Sequence, residues 1–138
     1  MILLDTHIWV RWIAPESDPL PAHISRLIDT SDLVQVSAIS SWEVSYLHKR
    51  NRLELPLPLE AWLRVALDGS GILSVALTSR IAARAARLSD IHRDPADRFI
   101  IATALETGAK LLTFDTTIPL YPECAGIVLG RSTPDIAQ

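Results

Sequence analysis

At 138 residues, 49% hydrophobic content and a net charge of −3, the chain has room for one compact core and is expected to form a single domain over 1–138. A mean hydropathy of +0.23 argues against disorder, and no apolar run reaches the roughly 20 residues of a membrane span. One cysteine, Cys124, excludes an internal disulfide; with no basic leader before the first apolar stretch, no signal peptide or membrane association is expected and the expected compartment is the cytoplasm.

The chain opens on a short buried strand over 2–6, and the apolar run ILL ends on Asp5. A helix over 7–14 is stopped by Pro15, and a second over 22–29 follows the prolines at 19 and 21. A strand at 33–37 leads into a helix over 40–52, and Pro56 and Pro58 break the chain before a helix over 59–67. A strand at 72–76 and an alanine-rich helix over 78–88 come next. Pro95 suits the first turn of a helix running to 106, with Gly108 as its stop; strands at 110–114 and 126–129 complete the pattern. Short apolar strands alternating with helices predict an α/β fold, a mostly parallel sheet of about five strands covered on both faces.

Ligands of open parallel sheets sit beyond the carboxyl ends of the strands. Asp5 and Asp115 fall at the ends of the first and fourth strands, Glu43 on the first turn of the helix after the second, and Asp94 and Asp97 where HRDPADRF begins a helix. Each acid has an ordinary explanation: Asp5 and Asp94 as N-caps, Ser40 with Glu43 as a capping box, Asp97 beside a helix dipole, Asp115 in a turn. Together they would repel one another and raise their pKa values, a conflict that a divalent cation removes; all-oxygen ligation suits Mg²⁺ or Mn²⁺. Thr6, Ser37 and Thr113 at strand ends could orient carboxylates or satisfy local backbone groups, and His7 and His92 have no metal-ligand spacing.

LLDTHIWVRW, VSAISSWEVSYLHKRNRLELPLP, IHRDPADRFIIATAL, LLTFD and the late YP, in this order, resemble the PIN-domain ribonucleases of the VapC toxin type. The resemblance covers most of the chain and implies a PIN-like three-layer fold and an Mg²⁺-dependent (or Mn²⁺-dependent) endoribonuclease. It assigns Asp5, Glu43, Asp97 and Asp115 to the family's acidic quartet, with Asp94 as a further candidate ligand. Water attack on the scissile phosphate would leave a 5′-phosphate and a 3′-hydroxyl. The resemblance also implies a cognate VapB-like antitoxin, docked near Trp9, Trp12 and Ile13, and an RNA such as a transfer or ribosomal RNA loop. A homodimer is expected to complete the RNA track.

An acidic pocket needs cations around it to hold RNA. The candidates are the cluster His48, Lys49, Arg50 and Arg52, the stripe Arg80, Arg84 and Arg87, and Arg93 and Arg98 near the acids; a solvated helix face explains the stripe equally well. Three other readings stand beside this one: a phosphatase with its acid after strand one, a phosphorylatable receiver domain, and a PIN-fold binding module without turnover. The first lacks an acid two residues after Asp5, and the second lacks an Asp at the end of the third strand.

Overall fold

The computed structural model describes residues 1–133. Its elements in chain order are β1 (Ile2–Leu4), α1 (Thr6–Ile13), α2 (Ala22–Asp29), β2 (Val34–Ser37), α3 (Ala38–Lys49), α4 (Leu59–Ala66), β3 (Leu73–Val75), α5 (Ser79–Arg87), α6 (Pro95–Thr107), β4 (Lys110–Leu112) and β5 (Val128–Leu129). The five strands form one sheet in the order β3-β2-β1-β4-β5, and every pairing is parallel. The expected α/β architecture is therefore present.

Alternation along the strands sorts side chains onto two faces. Ile2 and Leu4 of β1 join Leu112 of β4 in a cluster with Trp9, Ile24 and Trp62 from α1, α2 and α4. Leu3 and Leu111 point the other way, against Ile100, Ile101 and Ala104 of α6. Helix α3 serves both layers, with Val44 in the first cluster and Ile39 against the second. At about 25 cal/mol per Å² of apolar area, these two layers supply most of the folding drive.

Chain order creates the crevice. From β1 the chain moves outward to β2 and β3, then returns to place β4 on β1's other side. The carboxyl ends of β1 and β4 are thus a switch point, where an open parallel sheet leaves room for a ligand.

Boundaries differ from expectation for physical reasons. β1 ends at Leu4, and Asp5 caps α1 by accepting the Thr6 N–H at 2.8 Å. Helix α3 starts at Ala38 because the Ser37 hydroxyl accepts the Ile39 N–H at 3.2 Å. Ser40 and Glu43 therefore lie inside the helix, and the capping-box explanation of that pair fails. Helix α6 stops where expected: Gly108 has φ 72, and its N–H reaches the Ala104 carbonyl. The 3-10 turns Ile118–Leu120 and Pro122–Cys124, each with proline in its first two positions, were not foreseen. Trp9 is core, with no exposed surface; its indole N–H donates to the Ala66 carbonyl at 3.0 Å, and its ring meets Trp62 edge-on at 5.1 Å. It cannot belong to the expected docking patch, and Trp12 and Ile13 pack half-buried against the same core.

Candidate active site

Asp5, Glu43, Asp94, Asp97 and Asp115 line one pocket of about 460 Å³ at the carboxyl edge of the sheet. Asp5 is the most enclosed, at 4% exposed. Its Oδ1 is held by the helix cap, and its Oδ2 accepts the Thr113 hydroxyl at 2.6 Å, tying the end of β1 to the end of β4. His7 Nε2 accepts the Phe114 N–H at 3.3 Å, which leaves Nδ1 as the protonated nitrogen, 3.4 Å from Asp5 Oδ2. Asp115 is set by its own turn: its N–H donates to Thr113 Oγ1 at 3.0 Å, and its Oδ1 accepts the Thr117 N–H at 2.7 Å.

Glu43 projects from the second turn of α3, where the Ser37 cap has placed it. Thr6 Oγ1 lies 2.5 Å from its Oε1 and 2.8 Å from Ser40 Oγ, so the single Thr6 hydrogen serves one of them at a time. Burial pushes the Glu43 carboxyl above its ordinary range; the Thr6 contact opposes that, and the charges of Asp5 and Asp94 add to it. Asp97, 9% exposed, is pushed up to about 8 by burial first, then by Asp5, Asp94, Asp115 and Glu43. That proton marks a cluster of acids with too little positive charge among them. Its all-oxygen donor set fits a hard divalent cation, which would take the proton's place.

Asp94 caps α6 by accepting the Ala96 N–H at 3.0 Å, and its own N–H donates to His92 Nδ1 at 2.8 Å. One ligand atom each from His92, Asp94 and Asp97 lies within 4.8 Å of the others. His92 thus joins the acids although its spacing gave no metal pattern, because residues on either side of a helix start converge. Its backbone is fixed by Tyr121, whose hydroxyl accepts the His92 N–H at 3.0 Å and lies 3.3 Å from the His92 carbonyl. Asp18 and Glu54 also line the pocket and were not singled out from the sequence; acids in proline-broken loops carry no local signal.

The cations divide. Lys49, Arg50, Arg80, Arg87 and Arg93 are exposed. Arg84 Nη1 pairs with Glu106 at 3.2 Å. Arg98 does not project toward RNA: Nε donates to the Ala85 carbonyl at 3.1 Å, and its terminal nitrogens reach Leu88 and Ser89 carbonyls at 2.9 Å. It closes the end of α5, a structural role that removes it from the candidate RNA contacts. Ser37, expected as a possible aid to the carboxylates, caps α3 instead. Cys124 is buried, its thiol pushed up to about 11 by burial, as a small core residue would be.

Residues 2–123 match the PIN domain family. A curated protein of Mycobacterium tuberculosis, Ribonuclease VapC22, is 37% identical over 115 residues, covering 83% of this chain and 86% of the relative. Among solved structures, VapBC2 from Rickettsia felis, bound to a promoter DNA fragment, superposes with TM-score 0.69 at 17% identity, covering 94% of this chain and 98% of that one. DNA-bound VapBC from Salmonella typhimurium gives 0.66 at 19% identity, covering 94% and 96%. At those identities the superpositions show a shared fold.

Proposed function

The chain belongs to the PIN-domain family, and from that premise we propose that it is a divalent-metal-dependent endoribonuclease, the toxin of a toxin–antitoxin pair. The observation that carries the reading is the convergence of Asp5, Glu43, Asp94, Asp97 and Asp115 in one pocket, where burial and the neighbouring acids push Asp97 up to about 8. The likeness to Ribonuclease VapC22 supports RNA as the substrate, and the VapBC complexes among the structural neighbours support a VapB-like antitoxin as partner.

Asp5, Glu43, Asp97 and Asp115 would hold Mg²⁺ or Mn²⁺, with Asp94 beside them. The ion supplies Lewis acidity and charge neutralisation at the scissile phosphate. The chain's own groups do the positioning. Thr113 and the α1 cap fix both oxygens of Asp5, Thr6 fixes Glu43, and the Thr117 N–H fixes Asp115. His92, its Nδ1 occupied by the Asp94 N–H, presents Nε2–H as a donor, suited to a phosphate oxygen more than to a metal. The apolar lining of Val10, Ala14, Leu47 and Leu53 keeps part of the pocket dry, where charge interactions are stronger.

The purified protein should cleave RNA with Mg²⁺ or Mn²⁺ and stop with a chelator. Asp5→Asn should lower cleavage by on the order of 100-fold or more, beyond the usual loss when a mere support of a ligand is removed. Its circular dichroism should be unchanged, because the amide oxygen can still accept the Thr6 N–H while the amide NH2 donates to the Thr113 hydroxyl oxygen. Near-normal turnover by a folded Asp5→Asn protein would overturn the mechanism.

A further inference from the structure

Helix α3 carries a row of flat side chains beside the pocket. Trp42, Tyr46 and Arg50 recur at four-residue spacing; Trp42 is 55% exposed and Tyr46 39%. The two rings stack at 5.1 Å with 15° between their planes, and the Arg50 guanidinium lies 5.1 Å from the Tyr46 centroid. Helical side chains lean toward the helix N-terminus, so Arg50 leans on Tyr46 and Tyr46 on Trp42. The outer face of Trp42 ends this ladder. By the same lean that face lies toward the N-terminal end of α3, which follows β2 directly at the sheet edge that holds the acids. The neighbouring helical row, Glu43 and Leu47, lines the pocket itself.

The geometry points to a stacking platform for the bases of single-stranded RNA, with a base of the strand entering the acid pocket seated on Trp42. This rests on the nuclease reading above. Charge favours RNA as the occupant. Glu43, the single acid of α3, faces the pocket, whereas the helix runs on into Lys49, Arg50 and Arg52, which are exposed and make no ion pair among the described residues. An aromatic face followed by three cations that make no ion pair among the described residues, Arg50 among them resting on Tyr46, matches a base followed by its phosphates. Stacked bases lie about 3.4 Å apart, so a base between Trp42 and Tyr46 would need about twice that gap. The rings are 5.1 Å apart, which leaves the end of the ladder as the seat. Stacking tolerates any base, so the platform sets affinity and register more than base identity.

The test compares short oligoadenylate with an abasic backbone of the same length, both titrated with Mn²⁺ present into Asp5→Asn protein, which holds RNA without cutting it. Trp42→Ala in that background should weaken oligoadenylate binding about 5- to 150-fold, the equivalent of about 1–3 kcal/mol for one stacked base. Trp42→Phe should recover most of the loss, and the abasic strand should bind all three proteins alike. Circular dichroism and Mn²⁺ affinity should not move. With no substitution at Trp42, oligoadenylate should quench tryptophan fluorescence more than the abasic strand does, because Trp9 and Trp62 are buried and Trp12 is half-buried against the core; Trp42→Phe should remove that difference. Equal losses on both strands, or unchanged RNA binding by Trp42→Ala, would overturn the platform. If that unchanged binding came with loss of self-association or of a co-purifying protein, the face would be a protein interface. A wild-type protein that neither binds nor cuts RNA would instead sink the nuclease reading; wild-type cleavage with an indifferent Trp42→Ala sinks the platform alone.

Discussion

Asp97 shows what a single residue in a crowded acidic site must tolerate. Its carboxyl, ordinarily near 3.8, is pushed up to about 8. Below pH 3.8 the group is protonated whether the chain is folded or not, so it has no effect on stability. Between the two values the folded state keeps a proton that the unfolded chain has released. Stability without metal must therefore fall as pH rises across that window, and the full penalty is present above about pH 8. A bound divalent cation replaces the proton, so its benefit should grow over the same range. Thermal melts of metal-free protein from pH 5 to 8.5 should show a falling Tm, and the rise on adding Mn²⁺ should be larger at pH 8 than at pH 6. Asp97→Asn should flatten both trends. A Tm without metal that climbs steadily over this range would contradict the assignment of the buried proton to the acid cluster.

At the scale of elements, most of the fold was legible because its signals are local. Asp5, Asp94, Pro95 and Gly108 mark helix ends by chemistry that acts within a few residues, and each sits at such an end. The apolar strands were recognised but drawn too long: in β4, pairing stops at Leu112, and Thr113 and Asp115 turn to the site. What was not legible depends on distance. Ser40 looked like a cap until the hydroxyl of Ser37 took that place, and Ser40 instead meets Thr6 across 34 positions of chain. Arg98 looked like a cation for RNA, yet its guanidinium binds carbonyls between Ala85 and Ser89, a partnership that only the packing of α5 against α6 creates. The planar fork matters there, since one ammonium group cannot span those carbonyls. Arg98→Lys should cost about 1.5–3 kcal/mol in urea unfolding, within the range for hydrogen bonds to charged groups. Hydrogen exchange should quicken across 86–94, the segment that delivers Asp94 to the pocket and sets His92 beside it. Unchanged exchange in that segment would mean that Tyr121 and Glu123 hold it without help from α5.

For the whole molecule, the difficulty is that a chain of net charge −3 must draw an anionic polymer toward its most acidic surface. Charge separation resolves it. Asp5, Glu43, Asp94, Asp97 and Asp115 are gathered in one crevice that a divalent cation can neutralise, with Asp18 and Glu54 beside them. Among the arginines Arg11 alone lines that crevice, paired there with Asp18 at 3.2 Å, while helix α5, outside it, holds three with no acid of its own. Arg84 is paired with Glu106, which leaves Arg80 and Arg87, on one face and about 10.5 Å apart along the axis, to meet phosphates. Each phosphate contact on a single strand contributes about 0.7 to the slope of log affinity against log salt. Replacing Arg80 and Arg87 with Ala should therefore lower the magnitude of that slope by about 1.4, while Mn²⁺ affinity stays the same because neither residue lines the pocket. The substitution should raise KM for RNA more than it lowers kcat, since the contacts are made equally before and during the chemical step. A slope identical to that of the unsubstituted protein would make α5 a solvated face. The steering would then fall to Lys49, Arg50 and Arg52 at the end of α3, and the same salt titration on their alanine variants would locate it.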